Sequence, residues 1–161
     1  MNKRLVAVTA AAAAAAGVGF GAAAAAAPAS APPPCQASQL QPHFDGQQGA
    51  AGTLFDLWHF VNVGGTCQTV GFVGALNYGS DGRPLPTTVH WVGTKNTIVL
   101  THGQQARWRF SFQNPTITGC APEAAVNMIV TPPNNTAAVL AGRGERSCNG
   151  VFNASPLELA S

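Results

Sequence analysis

The chain has 161 residues, 46% of them apolar and 9% charged, with 18 Gly, 12 Pro and four Cys; that length suits one domain, and the apolar content excludes a disordered tail. Lys3 and Arg4 are the only charges before Asp45, so residues 30–161 carry six basic and six acidic side chains. Such neutrality excludes a nucleic-acid partner, which needs clustered Lys and Arg, and electrostatic recruitment to an acidic membrane.

Met1 to Arg4 form a positive start, Leu5 to Ala27 carry no charge, and Ala27-Pro28-Ala29 offers an A-x-A cleavage site before Ser30. This order predicts a signal peptide over residues 1–29 that is removed on export, leaving no stable membrane insertion. An uncleaved transmembrane anchor is the competing reading, weakened by a run that is mostly Ala rather than Leu or Ile. Residues 30–34 read as a Pro-rich linker, and residues 35–161 as the domain. Three prolines before Cys35 argue against a lipid-modified cysteine there.

From Cys35 onward, short apolar runs alternate with Gly, Pro and Asn. Gln36–Phe44 reads as a strand that Pro42 confines to an edge. Leu54–Val63 is apolar on both faces, with Trp58 and Phe60 on one and Phe55, Leu57 and Val61 on the other, which predicts a strand covered twice. Further strands are predicted over Gln68–Tyr78, Thr87–Val92 and Asn96–Thr101. The clearest follows: Ala106, Trp108, Phe110 and Phe112 share one face, against Arg107, Arg109 and Ser111. Ala124, Val126, Met128 and Val130 repeat that alternation up to Pro132-Pro133. Ala137–Leu140 and Gly150–Leu157 complete about eight strands, with turn chemistry at Ser80-Asp81-Gly82, Gly93-Thr94, His102-Gly103 and Pro133-Asn134-Asn135. No helical period is sustained. The expected fold is all-β, an antiparallel β-sandwich of immunoglobulin-like architecture, without the Cys–Trp–Cys spacing of true immunoglobulin domains.

Four cysteines permit three pairings. Separations of 32 and 28 residues favour Cys35–Cys67 and Cys120–Cys148, each fastening one end of the domain. No two cysteines lie close enough for a zinc site or a redox C-x-x-C, and an exported chain favours disulfides.

Together Cys35 with Leu40, Gly49-Ala50-Ala51-Gly52, a strand ending in Asn62, Cys67, Gly71, Gly82, Gly103 with Ala106, Cys120, Pro132-Pro133 and Cys148 resemble domain-of-unknown-function family 4232. The resemblance runs over nearly all of 35–161. It implies an exported, β-rich domain with two disulfides, of a kind found largely in actinobacteria, and it assigns no activity. One departure is Val73, where the family often has Pro.

The chemistry-bearing residues do not assemble in sequence. Gly79-Ser80-Asp81-Gly82 lacks the frame of a nucleophile elbow and reads as a hairpin turn. His43, His59, His90 and His102 stand at no ligand spacing. Asp45, Asp56, Asp81, Glu123, Glu145 and Glu158 are isolated, so a carboxylate pair cannot be argued. Trp58, Trp91 and Trp108 read as core, with stacking on sugar or protein as the alternative for Trp91.

The expectation is a secreted, monomeric, non-catalytic binding or cell-envelope module that needs no cofactor or metal and engages an unknown protein or a cell-wall glycan. Two other classes compete. A small secreted enzyme or metal carrier would bring two or more of the four histidines together with an acid. A secreted protein inhibitor would present the loop Gln113–Pro122, next to Cys120.

Overall fold

The computed structural model describes residues 30–160; the signal peptide read over 1–29 lies outside the described residues. A single helical turn, Ala37–Gln39, leads into β1 (Leu40–Ala50), which turns back into β2 (Thr53–Asn62). Then come β3 (Cys67–Val70), β4 (Gly74–Tyr78), β5 (Thr88–Trp91), β6 (Thr97–Leu100) and β7 (Gln105–Gln113). A short helix α1 (Pro115–Thr118) precedes β8 (Asn127–Thr131), β9 (Val139–Leu140), β10 (Val151–Ala154) and β11 (Glu158–Leu159).

The larger sheet runs β1-β2-β7-β10-β5, with β11 also paired to β7. Opposite it lie two smaller sheets, β3-β6 and β4-β8-β9. The domain is all-β and layered as a sandwich, as the alternation predicts. One pairing departs from the antiparallel expectation: β10 runs parallel to β5.

The described residues hold eleven strands rather than about eight: one predicted strand breaks in two, and a short further strand, β11, forms past the last predicted one. Gln68–Tyr78 divides between the two smaller sheets at Gly71, whose φ of +126° only glycine adopts without strain. The predicted strand Gly150–Leu157 ends at Ala154, since Pro156 has no N–H for a ladder, and β11 begins only past it at Glu158. A third correction concerns Ala124–Val130. Its alternation holds only from Asn127, since Val126 is half exposed.

The core is the inner face of β2 and β7 packed against both smaller sheets. Trp58, Phe60, Ala106, Trp108, Phe110 and Phe112 alternate inward, meeting Leu100, Met128, Val130 and Val73 from across. Burying each large side chain contributes about 1.5–3 kcal/mol. The Trp58 and Trp108 rings stack at 6.0 Å, and Phe60 stacks on Trp108 at 4.4 Å. Val73, the departure from the family pattern, is itself fully buried.

The outer face of β2 is only half covered, so Phe55, Leu57 and Val61 are intermediate in burial and the doubly covered strand is not found. β1 forms the sheet edge that Pro42 requires, with a bulge between Phe44 and Gly46. Asn62 ends β2 fully buried. Its Nδ2 donates to the carbonyls of Gly65, Leu100 and Thr101 at 3.0, 3.0 and 3.2 Å, and its Oδ1 accepts from the Gly64 N–H.

Disulfides join Cys35 to Cys67 and Cys120 to Cys148, with Cα separations of 4.8 and 5.8 Å. The first is flanked by main-chain bonds from Cys35 N to Gln68 O and from Gln68 N to Pro33 O, so the end of the Pro-rich segment is tied to β3.

Candidate functional site

An acid on the inner face of a strand is the first anomaly. Asp56 lies in phase with Trp58 and Phe60 and is fully buried. Beside it is Glu145, equally buried, whose carboxyl interacts with that of Asp56. The Trp58 Nε1–H donates to Glu145 Oε1 at 3.0 Å. The other oxygen, Oε2, receives no donor, as fits an acid that carries its own proton. Gln47 Nε2 and Arg143 Nη2 donate to the two Asp56 oxygens, Arg143 at 3.2 Å.

Burial, followed by the hydrogen bond and the negative charge of Asp56, pushes the Glu145 carboxyl up to about 9; the Trp58 N–H and Arg143 pull the other way. Asn77 fixes the backbone of Glu145 on both sides, accepting from its N–H at 3.0 Å and donating to its C=O at 2.8 Å. Two carboxyls sharing one proton can serve acid–base chemistry. Both acids are closed off from solvent, and the pair ties β2 to the β9–β10 connection. Sequence separation hid the pair. The visible signal was an acid on an otherwise apolar stripe.

The histidines come together only in part. His43 and His59 face each other across β1 and β2, their rings stacked at 5.1 Å, and His59 Nδ1 bonds Asp45 Oδ1 at 2.7 Å. His90 stands exposed on β5, and His102 Nδ1 lies 3.1 Å from the Gly64 carbonyl. Two histidines and one acid thus converge, but among the described residues no set of three or more His, Cys, Asp or Glu is arranged to hold a metal. Ser80 sits in the expected hairpin turn, closed by Gly82 N–H to Gly79 O at 3.0 Å.

Trp91 corrects the core expectation. Its alternation on β5 points it with the inner face, yet β5 is the last strand of the sheet and Trp91 lies past the core, 64% exposed. Its ring lies flat on Phe72, 5.8 Å away at an interplanar angle of 7°. Both rings border a depression of about 290 Å³ walled by Lys95, Pro132, Pro133 and Asn134. Asn134 donates to the Val70 carbonyl at 3.2 Å, which fixes that wall.

On the outer face of the larger sheet lies a wider groove of about 560 Å³, bordered by Leu57, Val92, Arg107, Arg109, Pro156 and Glu158. The loop Gln113–Pro122 contains α1, capped by Asn114 Oδ1 accepting from Thr116 N–H at 3.0 Å, and presents Ile117 to solvent. Among the described residues no helix is long and apolar enough to cross a membrane, and no cysteine is free.

The family model described as Domain of unknown function (DUF4232) matches residues 35–158. No curated protein and no solved structure matches the chain.

Proposed function

We propose that this chain, which belongs to the DUF4232 family, is a secreted, non-catalytic binding module of the cell envelope that contacts a glycan through Trp91 and Phe72. The observation that carries this reading is the exposed indole held flat by a second ring. Leaving so large an apolar side chain in water gains nothing for folding, whereas a fixed flat surface beside amide and ammonium donors suits the face of a sugar ring. The Trp91–Phe72 stack is preorganised, so binding loses little side-chain entropy. Two disulfides fit an oxidising compartment and support secretion.

Retention of the full chain on isolated cell-wall polysaccharide tests the reading. Trp91→Ala is expected to weaken retention at least fivefold, about 1 kcal/mol, the size of one aromatic contact. Equal retention of wild type and variant would sink it.

A further inference from the structure

A break in the larger sheet creates the outer groove. β10 pairs with β7 at Asn153–Ser111 and Ala154–Phe110, and β11 resumes at Glu158–Arg107 and Leu159–Ala106. Between them the chain leaves the ladder. Leu157 N–H bonds the Gly71 carbonyl in the opposite layer at 3.0 Å, and the Arg109 N–H is met by Ser155 Oγ at 3.0 Å instead of a strand carbonyl. Gly93 approaches Pro156 so closely that a Cβ there would lie 3.1 Å from the Pro156 Cδ, which closes the far wall.

Arg107 and Arg109 stand two residues apart on one strand, so their side chains leave the same face about 7 Å apart. Both border this groove. Among the described residues the ion pairs are His59–Asp45, Arg83–Asp81 and Arg143–Asp56, so neither groove arginine has one. Glu158 lies in register with Arg107 yet makes no ion pair with it. Arg109 is steadied over the Phe55 ring at 5.5 Å. Asp45 is already committed to His59, leaving two guanidinium charges against the single carboxylate of Glu158. The groove therefore holds one positive charge in surplus, above an apolar lining of Leu57, Val92 and Pro156.

We propose that this groove binds a small monocarboxylate with an apolar body, its carboxylate held between Arg107 and Arg109 and its body lying over Leu57, Val92 and Pro156. Guanidinium forks match carboxylates bidentately, and the groove volume is that of an ordinary small-molecule site. None of these residues borders the Trp91 depression, so this site and the glycan reading stand or fall separately.

The test is nuclear magnetic resonance titration of the full chain with hexanoate, its uncharged counterpart hexanamide, and inorganic phosphate. Hexanoate is expected to shift the amides of Gly93, Thr94 and Arg109 saturably, with affinity falling as salt is raised. The double variant R107Q/R109Q is expected to weaken that binding at least about tenfold, and W91A to leave it unchanged. Absence of saturable shifts with hexanoate, equal binding of hexanamide or of phosphate, or salt-independent affinity in the wild type would each overturn the proposal. The salt series needs no variant, so it decides the matter even where the double variant fails to fold.

Discussion

Glu145, Asp56 and Arg143 form one unit: the two acids are fully buried beside each other, and Arg143 closes the other side of the Asp56 carboxylate at 3.2 Å. The unit is neutral as a whole when Glu145 keeps its proton, which is how two acids can be buried without unfolding the domain.

The pH dependence follows from that proton. Glu145 titrates near 4.5 when unfolded and near 9 when folded, so between those values the native state holds one more proton than the unfolded state. Its stabilising contribution is complete below pH 4.5 and is lost as pH rises through 9. Thermal unfolding followed across this range is expected to show stability falling by about 1 kcal/mol per pH unit, and Glu145→Gln is expected to flatten the slope. A wild-type melting temperature that rises from pH 5 to 9 would contradict the shared proton.

Asn62→Ala removes an amide that serves three carbonyls and one N–H. The Leu100 carbonyl is left buried without this donor, at a cost of about 2–3 kcal/mol. Urea denaturation is expected to show a lower midpoint with an unchanged slope.

Gly150→Ala places a methyl against the Pro86 carbonyl oxygen at a φ of +69°. Left-handed backbone alone costs about 1–2 kcal/mol, and the clash adds to it by displacing the β5–β10 pairing beside Thr88. Hydrogen exchange is expected to accelerate first at the amides of β5.

Removing either disulfide is expected to destabilise by about 3–4 kcal/mol in the chain-entropy account, since both close loops of similar length. Double Ser variants of each pair, compared by denaturation, measure this. A loss under about 1 kcal/mol for both pairs would mean that the layers already restrain the unfolded chain.

Trp91→Ala is expected to leave the denaturation midpoint within about 0.5 kcal/mol of wild type, because the side chain is mostly in water. Trp58→Ala, fully buried, is expected to cost about 3–5 kcal/mol. The contrast separates a side chain kept for contact from one kept for packing.

The sequence was most legible where neighbours alone set burial. Ala106, Trp108, Phe110 and Phe112 all point inward because period-two alternation decides a half-buried strand locally. Pro42 marked the edge for the same local reason, a missing N–H. Trp91 misled because its inward phase is real but its position in the sheet is last, a fact of topology that no window reveals. The break at Gly71 was likewise hidden: an apolar run on both sides looks continuous until each half finds a different partner. The Asp56–Glu145 pair depends on contact between a strand and a distant connection, so the sequence marked only Asp56, an acid in phase with Trp58 and Phe60, and gave no sign of its partner.

β10, nearly the last strand of the chain, sits inside the larger sheet between β7 and β5 rather than at its rim. The sheet is thus finished from the middle, and neither flanking strand has its full set of main-chain partners until residues 151–154 arrive. A nascent chain stopped short of them would expose two bare ladders at once, so premature termination or C-terminal clipping is a direct route to self-association.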